Sequence, residues 1–154
     1  MKYWLMKTEP ATYSWDDLNN EPNKTDHWDG VRNYQARNFM RDMKEGDGIL
    51  FYHSVVKPPC IVGIARVAKE AYPDHTQFDS GAKYFDPKSP KDNPRWDMVD
   101  IQAVETLPEP VTLPQLRETA GLDEMVLLRK GSRLSIQPVT EKEWKIIRKL
   151  AGLK

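Results

Sequence analysis

Three histidines, one cysteine and a few short glycine-containing and basic strings are the residues that could do chemistry. His27, His53 and His75 stand far apart, and no two make the helical i, i+4 pair of a zinc hydrolase. Cys60 follows Pro58-Pro59 and opens an apolar run, where a free cysteine packs as a small hydrophobe. Gly46-Asp47-Gly48 lacks the Lys-Ser/Thr of a phosphate-binding loop, and no Gly-x-Ser-x-Gly elbow occurs. Arg129-Lys130-Gly131-Ser132-Arg133 could meet a phosphate, although a solvated turn explains it as simply. No nucleophile–base pair or metal set is visible, so no catalytic residue, metal or cofactor is expected. The enzyme alternative is a small nucleotide-acting protein with His53 or Asp74 as acid or base.

Binding chemistry has more to work with. Five Trp, six Tyr and four Phe occur in an otherwise polar chain. Trp28 stands between Asp26-His27 and Asp29-Gly30, where apolar periodicity does not account for it. Tyr84-Phe85 and Trp96 bracket a proline-rich stretch. An unstacked base needs flat apolar walls and a few hydrogen-bonding groups at its edge. Asn33, His53, Ser54 and Lys7 fall at or near strand and helix ends, where they could read that edge. Each aromatic taken alone is also a natural core anchor, and Asn33 is a natural helix N-cap.

The elements that must position these groups follow from local pattern. Tyr3 to Lys7 reads as a strand ended by Pro10, which lacks a backbone donor. Ser14 caps a short helical turn with acids in its first positions, and Asp26 to Gly30 reads as a loop. From Asn33 to Met43, Ala36, Phe39, Met40 and Met43 fall on one helical stripe, with Arg37, Arg41 and Lys44 beside it and Tyr34 nearly opposite. Ile49 to Ser54 and Cys60 to Val67 read as an antiparallel hairpin. Tyr72 to Pro94 is a long connection, a length that points to function. Trp96 to Glu105 reads as a strand, followed by a turn at Pro108, Pro110 and Pro114 and a helix near Gln115 to Thr119. A short helix over Asp123 to Leu128 and a strand over Leu134 to Gln137 come next. Thr140 then caps a last helix, with Glu143 completing a capping box. Locally paired strands without regular strand–helix alternation give an α+β fold, a small bent sheet or partly open barrel with peripheral helices.

The chain has 154 residues, a length that suits one domain. Its 23 basic and 23 acidic side chains give a net charge of zero, against bulk electrostatic capture of DNA and against a polybasic membrane anchor. One cysteine excludes an internal disulfide framework. No apolar run approaches the roughly 18 residues of a membrane span, and no signal-peptide pattern opens the chain. A monomer in the cytoplasm, or otherwise intracellular, is expected. The charge is uneven, however. From Arg129 to Lys154 there are eight Lys/Arg and two acids, which suits contact with a few phosphates.

Longer strings carry a resemblance. Tyr3-Trp4-Leu5-Met6-Lys7-Thr8-Glu9-Pro10 and Trp28-Asp29-Gly30-Val31-Arg32-Asn33-Tyr34-Gln35-Ala36-Arg37-Asn38-Phe39 resemble the EVE domain family. So do Gly46-Asp47, Phe51-Tyr52-His53-Ser54, Gly63-Ile64-Ala65, Tyr72-Pro73-Asp74, Pro94-Arg95-Trp96 and Arg133-Leu134-Ser135-Ile136-Gln137-Pro138-Val139. The resemblance is collinear and spans nearly the whole chain, so residues 1–154 are expected to form one EVE domain. It implies a PUA-like bent sheet or pseudo-barrel of mostly antiparallel strands with peripheral helices, related to YTH and ASCH domains. It also implies a reader of modified bases in DNA, chiefly modified cytosine, with RNA as the alternative partner. On that basis Trp28 stacks on the base. Lys7, Glu9, Gly30, Val31, Asn33, Tyr52, His53 and Ser54 line it, and Tyr84, Phe85 or Trp96 closes the pocket. Arg32, Arg37 and Arg133 are the expected phosphate contacts. YTH domains place Trp where this chain has Tyr84 and Phe85.

Overall fold

The computed structural model describes residues 1–131 and 133–153. Ser132 of the basic turn and Lys154 lie outside the described residues. One six-stranded sheet runs through the molecule. Its strands are β1 (Tyr3–Thr8), β2 (Thr25–Trp28), β3 (Gly48–His53), β4 (Cys60–Pro73), β5 (Asp97–Thr112) and β6 (Ile136–Val139). Four helices accompany it: α1 (Trp15–Asn19), α2 (Tyr34–Asp42), α3 (Leu113–Glu118) and α4 (Glu141–Leu150). The spatial order is β2-β5-β4-β3-β1-β6, an open sheet with β2 and β6 at its edges. All neighbouring strands are antiparallel except β1 and β3, which run parallel from Tyr3↔Gly48 to Thr8↔His53. The C-terminal ends of β1 and β3 therefore open onto the same side of the sheet.

Both faces of this sheet are covered, which explains why β3 is apolar at every position up to its last. Ile49 and Phe51 join Trp4, Met6, Ala36, Met40 and Met43 in one core. Leu50 and Tyr52 join Leu5, Leu116, Trp144 and Ile147 in the other. Trp4 and Trp144 are buried as expected of core aromatics, and Phe39 packs against the first core. In β4, Gly63 is required, because a Cβ there would collide with the Trp15 indole lying on the sheet.

The helix signals are local and hold. Ser14, Thr112 and Thr140 each close a capping box, and the Asn33 side chain caps α2 by accepting from the Ala36 N–H at 2.9 Å. Three expectations need correction. Residues 25–28 form an edge strand rather than a loop: Trp28 pairs with Val99 and Asp26 with Ile101, because β5 extends far enough to offer them partners. Pro108 and Pro110 do not end the strand. Thr106 pairs with Gly63 and Val111 with Ile61, so residues 107–110 bulge out where no ladder donor is needed. Over Asp123 to Leu128 only Val126–Leu128 winds, as a single 3-10 turn. No helix of the described residues is long and apolar enough to cross a membrane.

Candidate functional site

A cleft of about 540 Å³ opens beside the end of β1. Lys7, Thr8 and Glu9 form one side, followed by Thr12 and Tyr13. Asp26, His27 and Trp28 of β2, then residues 29–33 leading into α2, form the opposite side. Lys83 and Tyr84 come from the long connection, and Ser135 from the approach to β6. Four segments distant in sequence thus meet, which is why local pattern reveals only part of the lining.

Trp28 is held on edge. Its ring meets Phe51 at 5.8 Å and 89°, and Tyr13 at 6.3 Å and 85°. Among the described residues no aromatic ring stacks parallel on it. Tyr84 forms the second wall. Its ring lies over Gly30, where a Cβ would come within 2.5 Å of it and where φ is +78°. Glycine supplies both the close approach and the left-handed backbone.

That second wall is fixed by a buried carboxylate. Asp74 accepts from the Gly30 N–H at 2.8 Å, from Arg32 at 3.0 Å, and from both the backbone and hydroxyl of Thr76. Burial alone would raise its pKa, but the hydrogen bonds from Thr76, Gly30 and Arg32 hold it below the usual carboxylate range. Arg32 completes the clamp. Its guanidinium donates to Asp74, Thr76 Oγ1, and the carbonyls of Val31 and Tyr84, which occupies all five of its donors. Arg32 therefore ties Tyr84 to the segment after β2 and has no donor left for a phosphate. Buried Gln77 holds the rest of the connection. Its amide donates to the carbonyls of Asp74 and Trp96 and its oxygen accepts from Ser89 and the Trp96 N–H. The proline-rich segment is docked for that reason.

The polar lining mixes signs. Lys7 is half-buried without a salt-bridge partner among the described residues, and burial lowers its pKa. Lys83 is exposed, with its ammonium 5.4 Å from the Tyr84 ring centroid. Against these cations stand Glu9, Asp26 and Asp29. Asp26 accepts from the Tyr13 hydroxyl at 2.7 Å and the His27 N–H at 2.8 Å. Burial, then the Asp26 hydrogen bond, pushes the Tyr13 phenol up, so it stays neutral.

The predicted residues divide by placement. Lys7, Glu9, Trp28, Gly30, Val31, Asn33 and Tyr84 line the cleft. Tyr52 is buried in the opposite core, and burial pushes its phenol up to about 12. His53 accepts the Trp15 N–H at 3.0 Å, and burial holds its imidazole below the ordinary value against the opposing pull of Asp16. Ser54 donates to the Thr8 carbonyl. Phe85 is exposed beside the cleft wall rather than in it. Trp96 is buried, donates its indole N–H to Asp86 at 2.7 Å, and stacks under Tyr34 at 4.8 Å. Arg37 lies over that Tyr34 ring at 4.7 Å and donates to the Arg95 carbonyl. Arg133 is exposed. Neither His53 nor Asp74, the alternative acid or base of the enzyme reading, lines the cleft. Thr8, Thr12, Tyr13, Asp26, His27, Asp29, Lys83 and Ser135 also line the cleft and are not among the sequence candidates. Only Tyr13 carried a local signal, an aromatic outside any periodic run.

Comparisons with known proteins fall on the same length of chain. A family model, EVE domain, matches residues 2–150. Thymocyte nuclear protein 1 of Homo sapiens is 45% identical over 162 residues, covering 94% of this chain and 72% of that protein. The crystal structure of human THYN1 protein in complex with 5-methylcytosine-containing DNA matches with a TM-score of 0.93 at 43% identity, covering 100% of this chain and 99% of that one. A crystal structure of a Pseudomonas putida protein matches at 0.90 and 46% identity, covering 97% and 99%. An ASCH protein from Zymomonas mobilis, at 0.55 and 10% identity, shares the fold alone.

Proposed function

The chain belongs to the EVE domain family, and from that premise we propose that it is a non-enzymatic reader of DNA that takes one modified base, chiefly a modified cytosine, into the cleft between Trp28 and Tyr84. The carrying observation is the cleft itself, which brings together Trp28, on which no aromatic ring among the described residues stacks parallel, Tyr84, and a rim of donors and acceptors. The DNA-bound human relative supports the choice of partner. Trp28 stacks on the base and Tyr84 closes over it. Lys7 and the Asn33 amide donate to base acceptors. A carboxylate among Glu9, Asp26 and Asp29 accepts from an exocyclic amino group, as carboxylates do from cytosine N4. Arg37 and Arg133 hold phosphates. Arg32 stands in the lining with its donors spent on the clamp, and His53 and Ser54 act behind the lining as supports. The reading takes the protein as a monomer without a cofactor.

Binding should be measured at stated salt on oligonucleotides differing only in one cytosine, 5-methylcytosine or 5-hydroxymethylcytosine. The parent chain is expected to prefer a modified base, and Trp28→Ala to lose about 1–3 kcal/mol of that binding, the worth of one stacking wall. Equal binding by parent and variant would overturn the site. Tighter binding to a matched RNA strand would overturn the choice of DNA.

A further inference from the structure

Val55 is unexplained by the fold and by the cleft. It holds φ at +57° and is 76% exposed. A β-branched residue in the left-handed region is a true outlier, and such strain collects at sites of function. No packing compensates for it here, and Gly or Asn would take this backbone conformation with less strain.

Its position gives the valine a use. Residues 54–59 join β3 to β4 and are tied at both ends. The Ser54 N–H and hydroxyl both donate to the Thr8 carbonyl, at 2.9 and 3.3 Å. The Leu113 N–H donates to the Pro59 carbonyl at 2.8 Å. Thr8 is itself part of the cleft lining. Pro58 and Pro59 limit the backbone between these anchors, and Lys57 is exposed beside the tip. The loop therefore presents a bare apolar side chain one residue beyond the Ser54 bonds to a cleft-lining residue, and a cation two residues further on.

A base leaves a duplex more easily when something else occupies its place in the stack. Proteins that unstack DNA do this with apolar wedges. We infer that Val55 is such a wedge, entering the base stack of duplex DNA beside the nucleotide drawn into the cleft, with Lys57 against a neighbouring phosphate. The inference rests on the reader assignment and adds how the base is released from its pair.

Three probes of one sequence test it. In the first, 5-methylcytosine is paired with guanine; in the second, it lies opposite an abasic site; the third is the methylated single strand. Val55→Gly and Val55→Asn both suit the left-handed backbone and remove the apolar side chain. Each should weaken binding to the paired duplex about tenfold or more while leaving the other two probes within about twofold. Thermal midpoints should stay level or rise, since strain is relieved. Unchanged duplex binding overturns the wedge, as does equal loss on all three probes or a fall in the thermal midpoint. If the parent chain shows no preference for the methylated single strand over the unmethylated one, the reader assignment itself fails. If that preference is present, a failure in the Val55 variants belongs to the wedge alone.

Discussion

The Asp74 carboxylate has no exposed surface, and nothing bound in the cleft would touch it, yet it decides where one wall stands. It draws Gly30 and Arg32 onto the long connection, and Arg32 in turn holds the Tyr84 carbonyl. Asp74→Asn leaves Arg32 without its charged partner, and breaking such a buried pair costs about 3–5 kcal/mol. The pH dependence has a definite sign. The folded-state pKa is depressed, so the stabilisation is full above the unfolded carboxylate value of about 4 and is lost as pH falls through the lower folded value. Urea unfolding measured from pH 7 downward should show a steep acid limb in the parent that is shallower in Asp74→Asn. Flattening is partial, because Asp86, held low by the Trp96 indole and the Lys88 N–H, acts in the same direction. An acid limb unchanged by the substitution would remove Asp74 from this role.

At the level of elements, the sheet seats α1 through one missing side chain. Gly63 lets the Trp15 indole lie flat on β4, from which it donates to Thr106 Oγ1 at 2.9 Å. Gly63→Ala should destabilise by about 1–3 kcal/mol through overpacking, read as a lower urea midpoint with an unchanged slope. A neutral result would mean that Trp15 has another seat. The capped helices were plain in the sequence because a cap and its partner stand three residues apart. Strand β2 was not, because Thr25, Asp26, His27 and Trp28 show no alternation of burial. These residues are a strand because β5 offers its edge to them, and that offer depends on where another segment, some seventy residues on, happens to lie.

At the scale of the molecule, the zero net charge sets how the proposed reader would hold DNA. With Arg32 committed to the clamp, Arg37 and Arg133 remain of the three expected phosphate contacts. Neutralising these two phosphates, with Lys57 on a third, gives a slope of log K against log salt of about −2.7 for duplex DNA. Titrations across a salt series should show that shallow slope, with preference for the modified base preserved throughout. A much steeper slope would mean that a broad basic surface, not the cleft, dominates binding. The docked connection supplies what charge does not, because Gln77 and Asp74 fix a wall that can read shape and hydrogen-bonding pattern.

Sequence alone was enough for the starts of α1, α2 and α4, the apolar strands of both cores, the family, and the candidacy of Trp28, because these rest on neighbours in the chain or on long collinear motifs; the start of α3 at Leu113, two residues before the expected Gln115, was not legible. The sequence also flagged the proline-rich connection and the lack of a reason for Trp28 and Tyr34 to be where they are. Folding in three dimensions settles that Tyr84 rather than Phe85 or Trp96 lines the cleft, that Arg32 in the lining spends its donors on the clamp, and that His53 lies behind it. Folding also brings Tyr13, Asp26 and Ser135 to one place. The physical reason is that donors and acceptors far apart in sequence choose one another only after the sheet has closed the distance. Asp74 can claim Gly30 and Arg32 only once β4 and β2 lie on either side of β5.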